Sequence, residues 1–391
     1  MEDKNIPVPS EFLDICPTED KDFHNEMSIL VQEPAFRQIT NVVMPHMKYS
    51  QIKALLLSLN TKDEFQHKVM KPFMDGLLAK TSSGLTVSGF ENISKDVPYT
   101  YITNHRDIIL DSANLGYTLL NNDFEACEIA IGSNLLIFDW IKRLVQLNKC
   151  FIVKRNLGRL QTLTAAIQLS QYIHFTLTQK KSSIWIAQRE GRCKDSNDRT
   201  QESLIKMLAI GDRKKPFLES LKELNIAPAA ISYEYDPNDY LKAKEFLMKT
   251  KNPNFKKSTD DDLTSMRTGL EDFKGRIHIS FTPCINDRLE QIPDDLDRLL
   301  TLQRVCHIID SAIHANYKIF KTNYIAHDLL FDKHEFSENY TEEEKSKFIS
   351  YLHSQISKAD IPLNELDRNY MLKTMLEMYS NPLTNHLEAL N

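Results

Sequence analysis

The chain has 391 residues, 41% of them hydrophobic and 26% charged, enough to bury a sizeable core and to form roughly two or three folded units. A net charge of −6 excludes a global pull toward nucleic acid or an anionic membrane, so any phosphate affinity must come from a local cluster. Ten glycines exclude collagen-like and linker architectures, and six dispersed cysteines without a C-x-x-C pair exclude a disulfide frame or a zinc site; they read as reduced thiols.

The first residues, Met1 to Asn5, are polar and lack the apolar core of a signal peptide. Residues 1 to 30 carry prolines and acids and read as a loosely ordered lead-in. From Glu33 to Leu78 apolar residues recur at helical spacing, among them Val42, Val43, Met47, Ile52, Leu55, Leu56 and Leu59, then Phe65, Val69, Met70, Phe73 and Leu77. No stretch approaches the ~18 to 20 apolar residues that cross a bilayer.

The middle of the chain alternates between two patterns. Short β-rich runs fall at Leu85 to Phe90, Pro98 to Thr103, Glu128 to Ile131, Cys150 to Val153, Ser183 to Ala187, Ile226 to Tyr233 and Ile277 to Thr282. Amphipathic runs separate them: Ile108 to Leu120, Leu135 to Leu147, Leu157 to Leu177, Gln201 to Leu208 and Leu218 to Leu224. Alternation of this kind predicts an α/β fold, a mostly parallel sheet flanked by helices, with ligands at the carboxyl ends of its strands. Ile292-Pro293 marks a break. Beyond it, Leu296 to Phe320, Glu342 to Ser357 and Pro362 to Met378 read as helices. The expected division is a helical preface over 1–80, an α/β domain over 81–292 and a C-terminal helical region over 293–391.

Four segments at strand ends carry polar residues suited to chemistry. In the first, Pro98 to Asp107, a β run ends in Asn104-His105-Arg106-Asp107. A carboxylate holding one ring nitrogen of His105 would free the other to take a proton from a hydroxyl. Alone, the segment reads equally well as a helix start capped by Asp107. His-Arg-Asp also resembles the protein-kinase catalytic loop, but the asparagine required there is Ser112 here, and no G-x-G-x-x-G or Asp-Phe-Gly accompanies it.

The second segment, Phe151 to Arg155, delivers Lys154 and Arg155 to the same sheet edge within an acid-free basic stretch, Ile141 to Gln161. In the third, Ser183 to Arg192, a strand runs into Arg189-Glu190-Gly191-Arg192. Arginines there could grip a phosphate bidentately, and the glycine permits close backbone approach. An ordinary turn with an internal Arg–Glu pair is the competing reading. The fourth, Ile226 to Tyr235, is a buried-looking strand whose Pro228 suggests a strand start or a bulge. No G-x-S-x-G elbow, P-loop, H-E-x-x-H or metal-ligand spacing occurs, so no metal or tightly bound cofactor is expected.

In order and wording these four blocks resemble the glycerophospholipid acyltransferase superfamily, in a bacterial, soluble-looking branch. They appear as Asn104-His105 through Asp111, Phe151 to Arg155, Arg189 to Arg192, and Ala227-Pro228-Ala229, over roughly residues 85 to 235. The resemblance implies that His105 acts as general base on the hydroxyl of a lyso-phospholipid. That hydroxyl attacks an acyl thioester, acyl-CoA or acyl-carrier protein, as co-substrate. It implies that Asn104, Lys154, Arg155, Arg189, Glu190, Gly191 and Arg192 bind the acceptor and that Pro228 shapes a pocket. It also implies a cytoplasmic protein peripheral to the inner face of the membrane, with no nucleic-acid partner.

One departure stands out. The family places four residues between His and Asp; here Asp111 leaves five, so either a one-residue bulge restores Asp111 as partner or Asp107 takes the role. Glycerol-3-phosphate, an amino-acid lipid acceptor, or a non-catalytic lipid- or carrier-binding protein on the same fold remain alternatives.

Overall fold

The computed structural model describes residues 6–391 other than Pro45 and Arg213, and the side chains of all of these except Val42 and Thr259. The reading at Met1 to Asn5 therefore lies outside the described residues, as does the side chain of Val42. Seven strands form one sheet: β1 (Leu85–Ser88), β2 (Thr100–Thr103), β3 (Glu128–Gly132), β4 (Cys150–Val153), β5 (Ile184–Ala187), β6 (Ile226–Tyr233) and β7 (Ile277–Phe281). Their order is β1-β7-β6-β2-β5-β3-β4. The five strands from β6 to β4 run parallel, while β7 is antiparallel to β6 and parallel to β1.

Alternation along each strand sends neighbouring side chains to opposite faces of the sheet. Ile102, Ile184 and Ile186 pack on one face with the helices Arg159–Thr178 and Arg298–Ala315. Tyr101 and Trp185 pack on the other with the helices Lys71–Thr81 and Leu110–Asn121. Helices on both faces explain why β6 is buried along its whole length and reads as an almost continuous apolar run.

Pro228 is neither a strand start nor a bulge, contrary to the expectation. It is the third residue of β6, in register with Ile102 of β2. Its carbonyl accepts the backbone N–H (3.1 Å) and hydroxyl (2.7 Å) of Thr282, so this residue's backbone faces β7, whose ladder with β6 begins only at Ala229. The missing N–H of proline therefore costs no bond to β2.

The lead-in also needs correction. Ser10–Phe12 is a 3-10 turn and Asp20–Leu30 an α-helix. Phe23, Met27 and Leu30 of that helix are fully buried against Ile52, Leu56 and Phe65 of the following helices. Phe12 and Ile15 join the core on the sheet. Further helices lie where none was expected, Asp239–Lys251, Thr259–Glu271, Asn286–Glu290 and Lys321–Phe331, and the last helix, Glu365–Leu390, continues through Pro382. The C-terminal helices share an apolar cluster around Phe348, Leu352, Met371 and Met375 with Ala243 and Leu247 of the helix Asp239–Lys251. No helix among the described residues is long and apolar enough to cross a membrane.

Candidate active site

β2 lies at the centre of the sheet, so the residues that follow it emerge between the ends of β5 and β6. Asn104 is fully buried, and its side-chain amide closes both hydrogen bonds onto the backbone of Ile231 in β6: its Nδ2 donates to the carbonyl (2.9 Å), and its Oδ1 accepts from the N–H (2.8 Å). Asn104, expected to bind substrate, thus uses its amide in this structure to extend the sheet by one residue. That clamp fixes where the chain leaves β2. His105 comes next, with its carbonyl accepting from the Cys193 N–H at 2.8 Å.

The helix expected from Ile108 begins instead at Leu110. Ile108 and Ile109 form a turn, and Asp107 caps it, its Oδ1 accepting from the N–H groups of Ile109 (2.9 Å) and Leu110 (2.8 Å). This turn absorbs the extra residue of the spacing. Asp111 then reaches back over the first helical turn, and its Oδ2 lies 2.8 Å from Nδ1 of His105. The same oxygen accepts from the N–H groups of Arg106 (2.6 Å) and Asp107 (3.0 Å), while Oδ1 accepts from the Tyr233 hydroxyl at 2.8 Å. Asp107 is not the partner of His105. Its second oxygen accepts from the Asn238 side chain at 2.6 Å.

Burial works to raise the Asp111 pKa, yet the hydrogen bond and charge of His105, the Asp107 N–H and the Tyr233 hydroxyl hold it below the ordinary carboxylate value. For Asp107 the balance goes the other way: burial and the neighbouring Asp111 raise it, against the pull of backbone N–H groups and Arg192. An ionised Asp111 makes Nδ1 of His105 the protonated nitrogen. Nε2, which no described residue hydrogen-bonds, is then free to accept a proton. The imidazole packs edge-on against Trp185, centroids 5.9 Å apart.

The basic residues separate into two groups. Arg155 forms a 2.8 Å ion pair with Glu190, so the loops after β4 and β5 are joined at the rim. Gly191 has φ +70°, a conformation that favours glycine. Arg189 is half-buried and in no ion pair among the described residues. Arg192 is buried, 3.8 Å from Asp262, and its Nη1 has no hydrogen-bond partner. Lys154 is held by Asp14 (2.5 Å) and Gln168 (2.9 Å).

Sequence reasoning missed three supports. Tyr233 ends a fully buried, mostly apolar strand; a phenol placed there must find a hydrogen-bond partner, which is the signal that could have flagged it. Arg106 pairs through both terminal nitrogens with buried Asp198 (2.8 and 2.5 Å), and the Tyr317 hydroxyl also bonds that carboxylate. Burial opposes the charge on Arg106, but Asp198 holds it protonated. Gly269, on the helix Thr259–Glu271, lies so close to Asp107 that a Cβ there would fall 2.1 Å from Oδ2.

The model of the acyltransferase family matches residues 84–227, a span containing β1 to β5, the His105–Asp111 pair and the Arg155–Glu190 bridge. This stretch is therefore similar to the acyltransferase family over the part of the chain that holds the candidate site. No curated protein matches the chain. A similar solved structure is the 1-acyl-sn-glycerophosphate (LPA) acyltransferase PlsC from Thermotoga maritima. It is 12% identical and aligned over 74% of this chain and 96% of its own, with a TM-score of 0.33, too loose a superposition to bear on that family similarity. Among the described residues no group of three or more His, Cys, Asp or Glu is placed to hold a metal ion.

Proposed function

We propose that the chain transfers a fatty acyl group from an acyl thioester, acyl-CoA or acyl-carrier protein, to the free hydroxyl of a lyso-glycerophospholipid such as 1-acyl-glycerol-3-phosphate. The observation that carries this reading is the 2.8 Å contact between Nδ1 of His105 and buried Asp111. Held so, His105 takes the acceptor's hydroxyl proton on Nε2 as the oxygen bonds to the thioester carbonyl carbon. The tetrahedral adduct collapses, the carbon–sulfur bond breaks, and the imidazolium returns its proton to the leaving thiolate. Asp111, kept ionised, orients the ring and balances its transient charge. Arg189 and the unpartnered Nη1 of Arg192 have donors to spare, which favours an acceptor carrying a phosphate. Arg155, Glu190 and Gly191 shape the rim around it, and Pro228 lies in the sheet beneath. In this reading residues 81–292 do the chemistry, and the protein meets its lipid at the cytoplasmic surface of a membrane.

The test is a transfer assay on the purified chain, offering each thioester with lysophosphatidic acid, with glycerol-3-phosphate, or with a lyso-lipid lacking phosphate. Transfer to lysophosphatidic acid should fall roughly 100- to 10,000-fold in His105→Ala. Unchanged transfer would overturn the role of His105, and a preference for glycerol-3-phosphate would reassign the acceptor.

A further inference from the structure

The loops that leave β3 and β4 expose apolar side chains at the same edge of the sheet as His105. Leu160 is 84% exposed, Phe138 56%, Leu163 46% and Leu157 37%. Leu160 and Leu163 stand three apart at the start of the helix Arg159–Thr178 and so share a face. Phe138 ends the loop after β3, immediately before the helix Asp139–Leu147. Because β3 and β4 are adjacent and parallel, both loops emerge side by side. A hydrogen bond from the Arg155 N–H to the Ser133 hydroxyl, 2.9 Å, ties them together. An 84% exposed leucine accompanied by three further exposed apolar side chains on two adjoining loops is not the scattered surface leucine of ordinary proteins.

The sequence around this patch is predominantly basic. From Ser133 to Leu163 there are six cations, Lys142, Arg143, Lys149, Lys154, Arg155 and Arg159, and a single acid, Asp139. Four of the cations are neutralised from other segments, by Glu26, Asp63, Asp14 and Glu190. Lys142 and Arg159 are exposed and form no ion pair among the described residues. The helix beginning at Arg159 has no acidic residue in its first turn, which leaves the positive end of its dipole uncompensated. Apolar tips flanked by unpaired cations match an acyl layer beneath anionic headgroups, which attract nearby cations. The patch is linked to the site: Arg155 pairs with Glu190, and three residues on, Cys193 bonds the His105 carbonyl.

We infer that Phe138, Leu157, Leu160 and Leu163, with Arg159 and Lys142, form a docking surface for an anionic lipid bilayer, setting the rim of the active site against the membrane. The inference rests on the reading of that site as one serving a lipid acceptor.

It is tested by flotation of the purified full chain with vesicles of phosphatidylcholine, with and without phosphatidylglycerol. No thioester or lyso-lipid is present, so the readout is independent of chemistry. The wild type and His105→Ala should float with phosphatidylglycerol vesicles and be released by salt. Phe138→Ser/Leu160→Ser/Leu163→Ser should bind at least tenfold more weakly, Arg159→Glu should also weaken binding, and Leu366→Ser, a 78% exposed leucine on the last helix, should bind as wild type. Transfer to a short-chain, water-soluble acceptor should be unchanged in the triple variant, which shows that it folds. Equal binding by wild type and triple variant, or no binding by the wild type, overturns the docking surface and leaves the acyl-transfer reading intact. So does sedimentation showing that the triple variant merely splits a dimer. Normal vesicle binding with no transfer to any acceptor overturns the catalytic reading instead.

Discussion

Asp111 and Asp239 are both fully buried carboxylates that accept tyrosine hydroxyls, yet they titrate in opposite directions. Asp111 takes Tyr233, two backbone N–H groups and Nδ1 of His105, and is held below the usual carboxylate value. Asp239 takes Tyr351 and Tyr379, each at 2.8 Å, and the Tyr240 N–H at 2.6 Å, but its pKa is raised to about 7. Burial is the largest influence on both. The difference lies in the neighbour: Asp111 faces a ring that can carry positive charge, whereas Asp239 faces Asp236. Asp236 is itself paired with buried Lys242 at 2.6 Å, which leaves nothing cationic for Asp239. Phenols alone cannot keep a buried carboxylate charged; a cation or several backbone N–H groups can.

The sharpest way to break this comparison is Asp111→Asn. It preserves shape but removes the charge that selects the Nδ1–H tautomer, so kcat should fall by an amount approaching His105→Ala, within the roughly 100- to 10,000-fold range of a positioned base. A loss under tenfold would mean that the carboxylate's charge does not matter.

Asp198 supplies a third buried carboxylate, and here the cation is permanent. Arg106→Met strands it, and urea unfolding should show a loss of about 3–5 kcal/mol. Adding Asp198→Asn should recover part of that loss.

For Asp239 the sign is the reverse of a paired acid. Its folded pKa lies above the unfolded value of about 4, so its contribution is complete below that pH. It is lost as pH rises toward about 7. Unfolding free energy followed against pH by urea titration should therefore decline over that window, by a few kcal/mol at most, and the decline should flatten in Asp239→Asn. An unaltered slope would show that another group carries it. The smallest effect is expected for Tyr233→Phe, about 1 to 2 kcal/mol of stability by urea unfolding, because Asp111 loses a hydrogen-bond donor.

Much of this arrangement is written in local sequence. All seven strands are legible because each is a short β-rich run bounded by polar turns, and burial on both faces makes β6 an apolar run. His105 and Asp111 are legible as a pair but not in register, since spacing cannot show that Ile108 and Ile109 turn before the helix starts at Leu110. The helix Asp20–Leu30 was readable from Phe23, Met27 and Leu30 at spacings of four and three, a signal masked by the surrounding acids. The helix Asp239–Lys251 was not, because it buries Asp239, Lys242 and Glu245 on the face where apolar residues would be sought. Arg106–Asp198 and Asn104–Ile231 join residues 92 and 127 positions apart, and no local pattern encodes which distant partner a polar residue will find.

The Arg106–Asp198–Tyr317 linkage has a bearing on synthesis. His105 and Asp111 are only six residues apart, so the pair exists as sequence once the first third of the chain has emerged. Its scaffold does not: Asp198 waits for Tyr317, Asp107 for Asn238 and for the close approach of Gly269, and Asp111 for Tyr233. Contacts of such sequence separation form late, because loop closure must precede them. A nascent chain thus carries the histidine and its carboxylate long before it can hold them in position, and the capacity for chemistry should appear abruptly, only when the C-terminal helices dock.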